Sequence, residues 1–294
     1  TPPETLPVAD SPITDKLPLT ALAQFLRSPV KSFCLHRLKF RFDVDEALAL
    51  DDEPFGFDRL DSQIVGSELL QSLMRSEDIE QSLAQHRQRL GRQGRLPLAA
   101  FGDLAFEQLS QPARQTRHYF QQLTDDWPVA EEVQALMLDI VVDGAPLHVI
   151  GETGPLYAFS DGPVSCHCTV QTLLKKDGLE HARLLPYWPV HLAANAGGMA
   201  LRSFIIGSDG IVVLERMPQP EALSTLQALA AAWRLGTAQP LPIACRTALA
   251  WLNGGDDGAD AARKTYEGDY QRTGEVGYDP YLARFYPNFD HLVA

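Results

Sequence analysis

The chain lacks most of the features that identify a protein quickly. No apolar run approaches the roughly 20 residues that a membrane span needs. No charged n-region followed by an apolar h-region marks a secretory leader. Only four cysteines occur in 294 residues (Cys34, Cys166, Cys168 and Cys245). That is too few for a disulfide scaffold, and without a secretion signal the expectation is free thiols in a reducing cytoplasm. No Walker A glycine-lysine loop and no Gly-x-Gly-x-x-Gly after a strand is present, so no nucleotide cofactor is expected. An excess of positive charge is also missing. The net charge is −13, whereas a free-standing nucleic-acid binder is usually basic because phosphate contacts dominate its affinity.

What remains is a globular composition, 45% hydrophobic and 21% charged, long enough to bury a full core. "TPPETLPVADSP" opens on Thr1 rather than Met. It is Pro-rich and reads as a linker over 1–18, as though this were a C-terminal piece of something larger. Residues 19–125 read as mainly helical. Leu22, Phe25, Leu26, Phe33 and Leu38 fall at helical spacings, with Pro29 as a break. "SELLQSLMRSEDIEQSLAQHRQRL" continues the period until Gly91 and Gly94. An acidic loop over 43–62 interrupts this region, and 254–262 reads as a second long loop.

The character changes near residue 130. "LDIVVDGAPLHVI" and "LYAFSDGPVSCHC" each place Asp-Gly between apolar runs, a strong hairpin signal. They predict an antiparallel meander over about 135–172. "RSFIIGSDGIVVLER" reads as a third hairpin, with a helix near 186–197 before it and another after it, stopped by Gly236. Residues 245–255 read as a further helix and the aromatic tail as irregular structure. The order helices, strands, helices gives an α+β class.

Cys166-His167-Cys168 raises the question of a metal. On a strand Val164, Cys166, Cys168 and Val170 share one face and Ser165, His167, Thr169 and Gln171 the other. The cysteines therefore sit on an apolar face, where cysteine behaves as a small hydrophobe, and His167 points away from them. Cys34 and Cys245 are isolated in sequence, so a zinc-binding module is the weaker reading.

The bases are unevenly spread. Arg27, Lys31, Arg37, Lys39 and Arg41 form one run without an acid, and Arg87, Arg89, Arg92 and Arg95 form a second. Between them lie eight acids from Asp43 to Asp61. Such runs are commonly solvated helix faces with local ion pairs. They also suit a protein that touches nucleic acid over a limited area. The aromatic residues at 278–289 could stack on bases, but core or protein interface is the commoner use. Trp233 and Trp251 read as core.

Taken in order, "LTALAQFLRSPVKSFCLHRLKF", "DDEPFGFDRLDSQIVGSELLQSLM", "GRLPLAAFGDLAFEQL", "TGPLYAFSDG", "YWPVHLAA", "AWRLGTAQPLP" and "ARKTYEGDYQRTGEVGYDPYLARFYP" resemble the C-terminal region of RecC, the gamma subunit of exodeoxyribonuclease V (RecBCD). The resemblance runs from about residue 18 to the end. It implies a PD-(D/E)XK nuclease-like core whose nuclease chemistry is lost, a 19–125 helical region and a 130–294 core and tail. It also implies RecB-like and RecD-like partners, and DNA ends whose strands are separated and guided. ATP use would belong to those partners.

The lost chemistry can be checked on residues. Active relatives hold Mg²⁺ with an acid on one strand and acid-x-Lys on the next. The chain has six lysines, and the residues two positions before them are Thr14, Pro29, Arg37, Leu173, Leu174 and Ala262. No acid-x-Lys occurs. Without gaps, Cys168-Thr169-Val170 stands at that position, Pro155 near the preceding acid, and Phe106 where some relatives carry a histidine. His191 falls where relatives often keep a polar residue, although alone it reads as a satisfied structural histidine. An active Mg²⁺-dependent nuclease would need Asp139, Asp143, Glu152 and Asp161 to assemble differently.

Overall fold

The computed structural model describes residues 15–42, 57, 59–97, 99–175 and 178–294. Most of the Pro-rich segment (1–14), most of the acidic loop (43–56 and 58) and Lys176 lie outside the described residues.

The chain begins with β1 (Lys16–Pro18), α1 (Leu19–Arg27) and α2 (Pro29–His36), followed by α3 (Arg59–Arg75), α4 (Ile79–Arg92) and α5 (Ala99–Thr124). The middle holds β2 (Ala135–Val142), β3 (Ala145–Glu152), β4 (Leu156–Tyr157), β5 (Val164–Cys168), β6 (Leu174–Lys175) and β7 (Gly178–Leu179). Then come α6 (Trp188–Ala196), β8 (Arg202–Ile206), β9 (Ile211–Leu214), α7 (Gln219–Ala238) and α8 (Cys245–Asn253). Four short helices close the chain: α9 (Gly258–Glu267), α10 (Glu275–Tyr278), α11 (Pro280–Phe285) and α12 (Phe289–Val293). The class is mixed helix and sheet, as the sequence predicts.

The Asp-Gly signals mark real hairpins. Asp143 and Gly144 take φ values of 50° and 75° between β2 and β3. Two positive φ angles in succession are what a two-residue hairpin turn needs. β4 and β5 also pair antiparallel, around Asp161-Gly162. The hairpins do not join into one meander, however. One sheet has the order β1-β3-β2 and a second the order β4-β5-β8-β9. Each contains a parallel pair, β1 with β3 and β5 with β8. Turn chemistry fixes only the local partner. The long-range partner follows burial: Leu17 of β1 and Ile205 and Ile206 of β8 are fully buried. Residues 16–18, read from sequence as the end of the linker, are therefore sheet.

In the first sheet Leu136, Ile140 and Val142 of β2 alternate inward and meet Leu147 and Val149 of β3. This face packs on α1, α6 and α7, with Leu22, Phe25, Leu192, Ala222 and Leu226 in the same core. Burying each large apolar side chain contributes about 1.5–3 kcal/mol. α7 does not stop at Gly236 but runs to Ala238. A Cβ on Gly236 would lie 2.3 Å from Cε2 of Phe25, so the glycine allows close packing of α7 on α1. The tail also departs from expectation. It is helical, and Tyr266, Tyr281, Leu282 and Phe289 form a core with Val30, Phe33 and Cys34 of α2.

α3, α4 and α5 form a third core through Val65, Leu69, Leu73, Leu83, Leu90, Phe106, Leu109 and Ala113. The helical period runs unbroken through Ser76–Asp78, yet the chain breaks there. Asp78 caps α4 by accepting from the Gln81 N–H at 2.9 Å. Buried Arg117 of α5 closes the end of α3 by donating to the Leu73 carbonyl and, at 2.8 Å, to the Ser76 carbonyl. No helix among the described residues is long and apolar enough to cross a membrane.

Candidate functional site

β5 lies inside the second sheet and is covered on both faces, as a strand with a parallel partner usually is. One face meets the helical region. Cys168 and Val170 pack against the α3–α5 core, and Thr116 of α5 donates to the Thr169 carbonyl at 2.9 Å. Burial pushes the thiols of Cys166 and Cys168 up, each to about 12. Metal-binding cysteines are thiolates, and these two sit where the thiol is favoured.

The other face carries polar groups joined end to end. Ser165, His191, Asn195 and Ser203 are all buried. The Glu215 carbonyl can only accept, so Nε2 of His191, 3.0 Å away, carries the imidazole proton. Nδ1 then accepts from the Ser203 hydroxyl at 2.9 Å. Ser203 in turn accepts from Ser165 at 3.0 Å, and Ser165 from Nε2–H of His167 at 3.3 Å. Both amide hydrogens of Asn195 go to carbonyls, those of His191 (2.8 Å) and Leu201 (3.0 Å). The chain has one consistent direction and needs His191 neutral, because its Nδ1 must accept. Desolvation lowers the pKa of both, His167 to about 4 with a further push from His191. His191 is therefore a satisfied structural histidine. Serines at strand positions give no sequence signal that would have placed Ser165 and Ser203 in this network.

The four acids that a rearranged metal site would need are spread over two sheets. Asp139 pairs with His148 at 2.6 Å on the open face of the first sheet. Asp143 sits in the hairpin turn and Glu152 at the exposed end of β3. Asp161 pairs with Arg216 at 3.0 Å beside β5. Pro155 is exposed and directly precedes β4, on the strand next to β5. Phe106 is buried in the α3–α5 core. Among the described residues, no three His, Cys, Asp or Glu side chains gather closely enough to hold a metal ion.

The two basic runs differ in structure. Arg87 pairs with Asp103, Arg89 with Glu68 at 2.8 Å, and Arg95 with Asp61 at 3.0 Å. Only Arg92 of that run is exposed with no ion pair among the described residues. In the first run Arg27 ends α1 near Cys245, and Arg37 caps α2. Lys31 lies 5.7 Å from the ring centre of Tyr281. Lys39 and Arg41 are exposed, with Phe40 between them. The sequence reading missed Phe40 and Phe42, although "KFRF" alternates bases and rings. Of the tail aromatics, Tyr281, Phe285, Tyr286 and Phe289 line a core, whereas Tyr278 is 70% exposed. Trp233 packs on the main core, but Trp251 is 43% exposed, with one face stacked on Phe289. Trp251 is therefore not the core residue that the sequence suggests.

Comparison with known proteins adds one strong match. A family model for the RecC C-terminal domain matches residues 14–256. No curated protein matches the chain. Among solved structures, one titled "Crystal structure of SSO0001" is 14% identical and covers 59% of this chain and 85% of its own, with a TM-score of 0.30.

Proposed function

Because the chain belongs to the RecC C-terminal domain family, we propose that it is the non-catalytic scaffold and DNA-guiding domain of a RecBCD-type complex. The family is that of a subunit of exodeoxyribonuclease V, which acts in DNA repair. In this reading the core derives from a PD-(D/E)XK nuclease that has lost its carboxylates. The domain holds RecB-like and RecD-like subunits and steers strands of a DNA end, while partners use ATP and cut. It acts in the cytoplasm.

The observation that carries the reading is the state of β5. A metal-holding strand presents carboxylates to an open cleft. Here Cys168, at the end of β5, and Val170, two residues beyond it, are partly buried against the α3–α5 core instead. The neighbouring strand enters with Pro155, which has no oxygen on its side chain. A strand turned over to packing keeps the fold but not the metal chemistry.

The test is co-purification with RecB-like and RecD-like partners, read by size-exclusion chromatography. A stable co-eluting complex that unwinds DNA is expected. Metal-dependent DNA cleavage by the chain alone would overturn the non-catalytic part. Absence of any complex at micromolar concentration would overturn the scaffold part.

A further inference from the structure

The segment after α2 is irregular but tied down. The Phe40 N–H donates to the Cys34 carbonyl at 2.9 Å, and the Phe42 N–H to the Tyr281 hydroxyl at 3.3 Å. Three rings then run outward from the core. Tyr281 is 5% exposed. Phe42 meets it edge-on with ring centres 5.0 Å apart, and Phe40 meets Phe42 edge-on at 4.6 Å. Phe40 itself is 44% exposed. The outermost ring is thus braced from behind and open in front.

Among the described residues, the surroundings of that ring are basic. Lys39 and Arg41 flank it in sequence and are exposed, and among the described residues neither pairs with an acid. Lys31, itself exposed, sits over the Tyr281 ring at 5.7 Å. Asp279, the acid next to these rings, is already engaged. It accepts from the Tyr281 and Leu282 N–H groups and from the Ser28 hydroxyl. Lys39 also holds φ at 53°, a left-handed backbone that glycine adopts more easily. The position therefore carries a charged side chain where the backbone favours glycine.

We propose that Phe40 is a stacking platform for an unpaired base of single-stranded DNA, with Lys39 and Arg41 on the adjoining phosphates. The proposal rests on the DNA-guiding reading above and names its ligand class. Bases alone would bind duplex and single strand alike, since both present phosphates. An exposed ring face separates the two. A base can stack on it only when its own face is uncovered, which duplex pairing prevents. The separated strand is the form that a strand-guiding domain handles.

Two variants test this without relying on a damaged fold. Phe40→Leu keeps apolar volume against Phe42 and removes the ring face. Lys39→Gly removes the charge at a position whose backbone suits glycine, so thermal stability should hold or rise. The chain, alone and with its partner subunits, would be titrated by fluorescence anisotropy with labelled oligo(dT) and with a blunt duplex of equal length at several salt concentrations. Phe40→Leu should weaken oligo(dT) binding about tenfold and leave the duplex within about twofold. Lys39→Gly should reduce the salt slope for oligo(dT) by about 0.7, one phosphate contact. Oligo(dT) binding unchanged in both variants, with the wild type binding normally, overturns the platform and leaves the DNA reading standing. If the wild type binds neither DNA, alone or in the complex, both fall. Loss of partner co-elution with DNA binding intact would assign the rings to a protein contact and overturn the proposal.

Discussion

Replacing His191 with leucine removes one link from the polar chain behind β5 while keeping most of the volume. Two groups then lose their partners, one on a buried residue (Ser203) and one on an exposed residue (Glu215). The Ser203 hydroxyl, now donating to Nδ1 at 2.9 Å, has no acceptor, and the Glu215 carbonyl, accepting from Nε2 at 3.0 Å, has no donor. Each buried unsatisfied group costs about 1–3 kcal/mol. The partly exposed Glu215 carbonyl costs less, the added apolar burial of leucine offsets part of the total, and a net loss of about 2 kcal/mol is expected. For a chain of this size that corresponds to a fall in Tm of roughly 4–8 °C. Urea unfolding and calorimetry on the same variant should agree. Adding Ser203→Ala should cost less than the sum of the two single changes, because the hydroxyl left unpaired by the first is removed by the second. The Ser165 hydroxyl then becomes the new orphan, so the double variant stays below wild type. A loss of under about 0.5 kcal/mol for His191→Leu alone would refute the directed chain of hydrogen bonds.

Other outcomes follow from the same structure. His167 has a folded pKa lowered to about 4, below its unfolded value of about 6.5. The unfolded chain therefore binds the extra proton between these values, and stability should rise with pH from about 4 to about 6.5, by roughly 3 kcal/mol from this group. His167→Gln should flatten that slope in urea melts taken across the range. Arg117→Met removes the donor of the Ser76 carbonyl and one of two donors to the Leu73 carbonyl and should lower stability by about 1–3 kcal/mol, with hydrogen exchange rising first at the end of α3. Gly236→Ala gains about 1 kcal/mol of helix propensity but forces Phe25 to move at a cost of about 1–3 kcal/mol. A net loss of about 1 kcal/mol is expected, recovered when Phe25 is trimmed to leucine.

The local elements were readable from residues because their causes are local. Asp143-Gly144 demands a tight hairpin, Pro29 a new helix start, and "EALSTLQALAAAW" a helix. The sheet order was not readable. Nothing in the sequence of β5 says that β8, over thirty residues later, becomes its parallel neighbour. That choice rests on which faces can be buried together. Gly236 misled for a related reason: glycine near a helix end looks like a stop, and only the position of Phe25 reveals a packing role. Cys168 packs against the α3–α5 core as the alternation along the strand predicts, while Cys166, on the same face, is half-buried. The second basic run looked like a clean cationic face, but Asp103, Glu68 and Asp61 come from other turns of other helices to neutralise it.

The most direct test of a strand-guiding domain without its own chemistry compares two variants in a complex reconstituted with RecB-like and RecD-like subunits. One carries Asp139→Asn, Glu152→Gln and Asp161→Asn. The other carries Lys39→Glu and Arg41→Glu. DNA unwinding and cleavage are followed together. The carboxylate variant should cut and unwind as wild type does, and the charge-reversed variant should unwind roughly tenfold more slowly at physiological salt. Cleavage that disappears with the carboxylates, while the charge-reversed complex unwinds normally, would contradict the account.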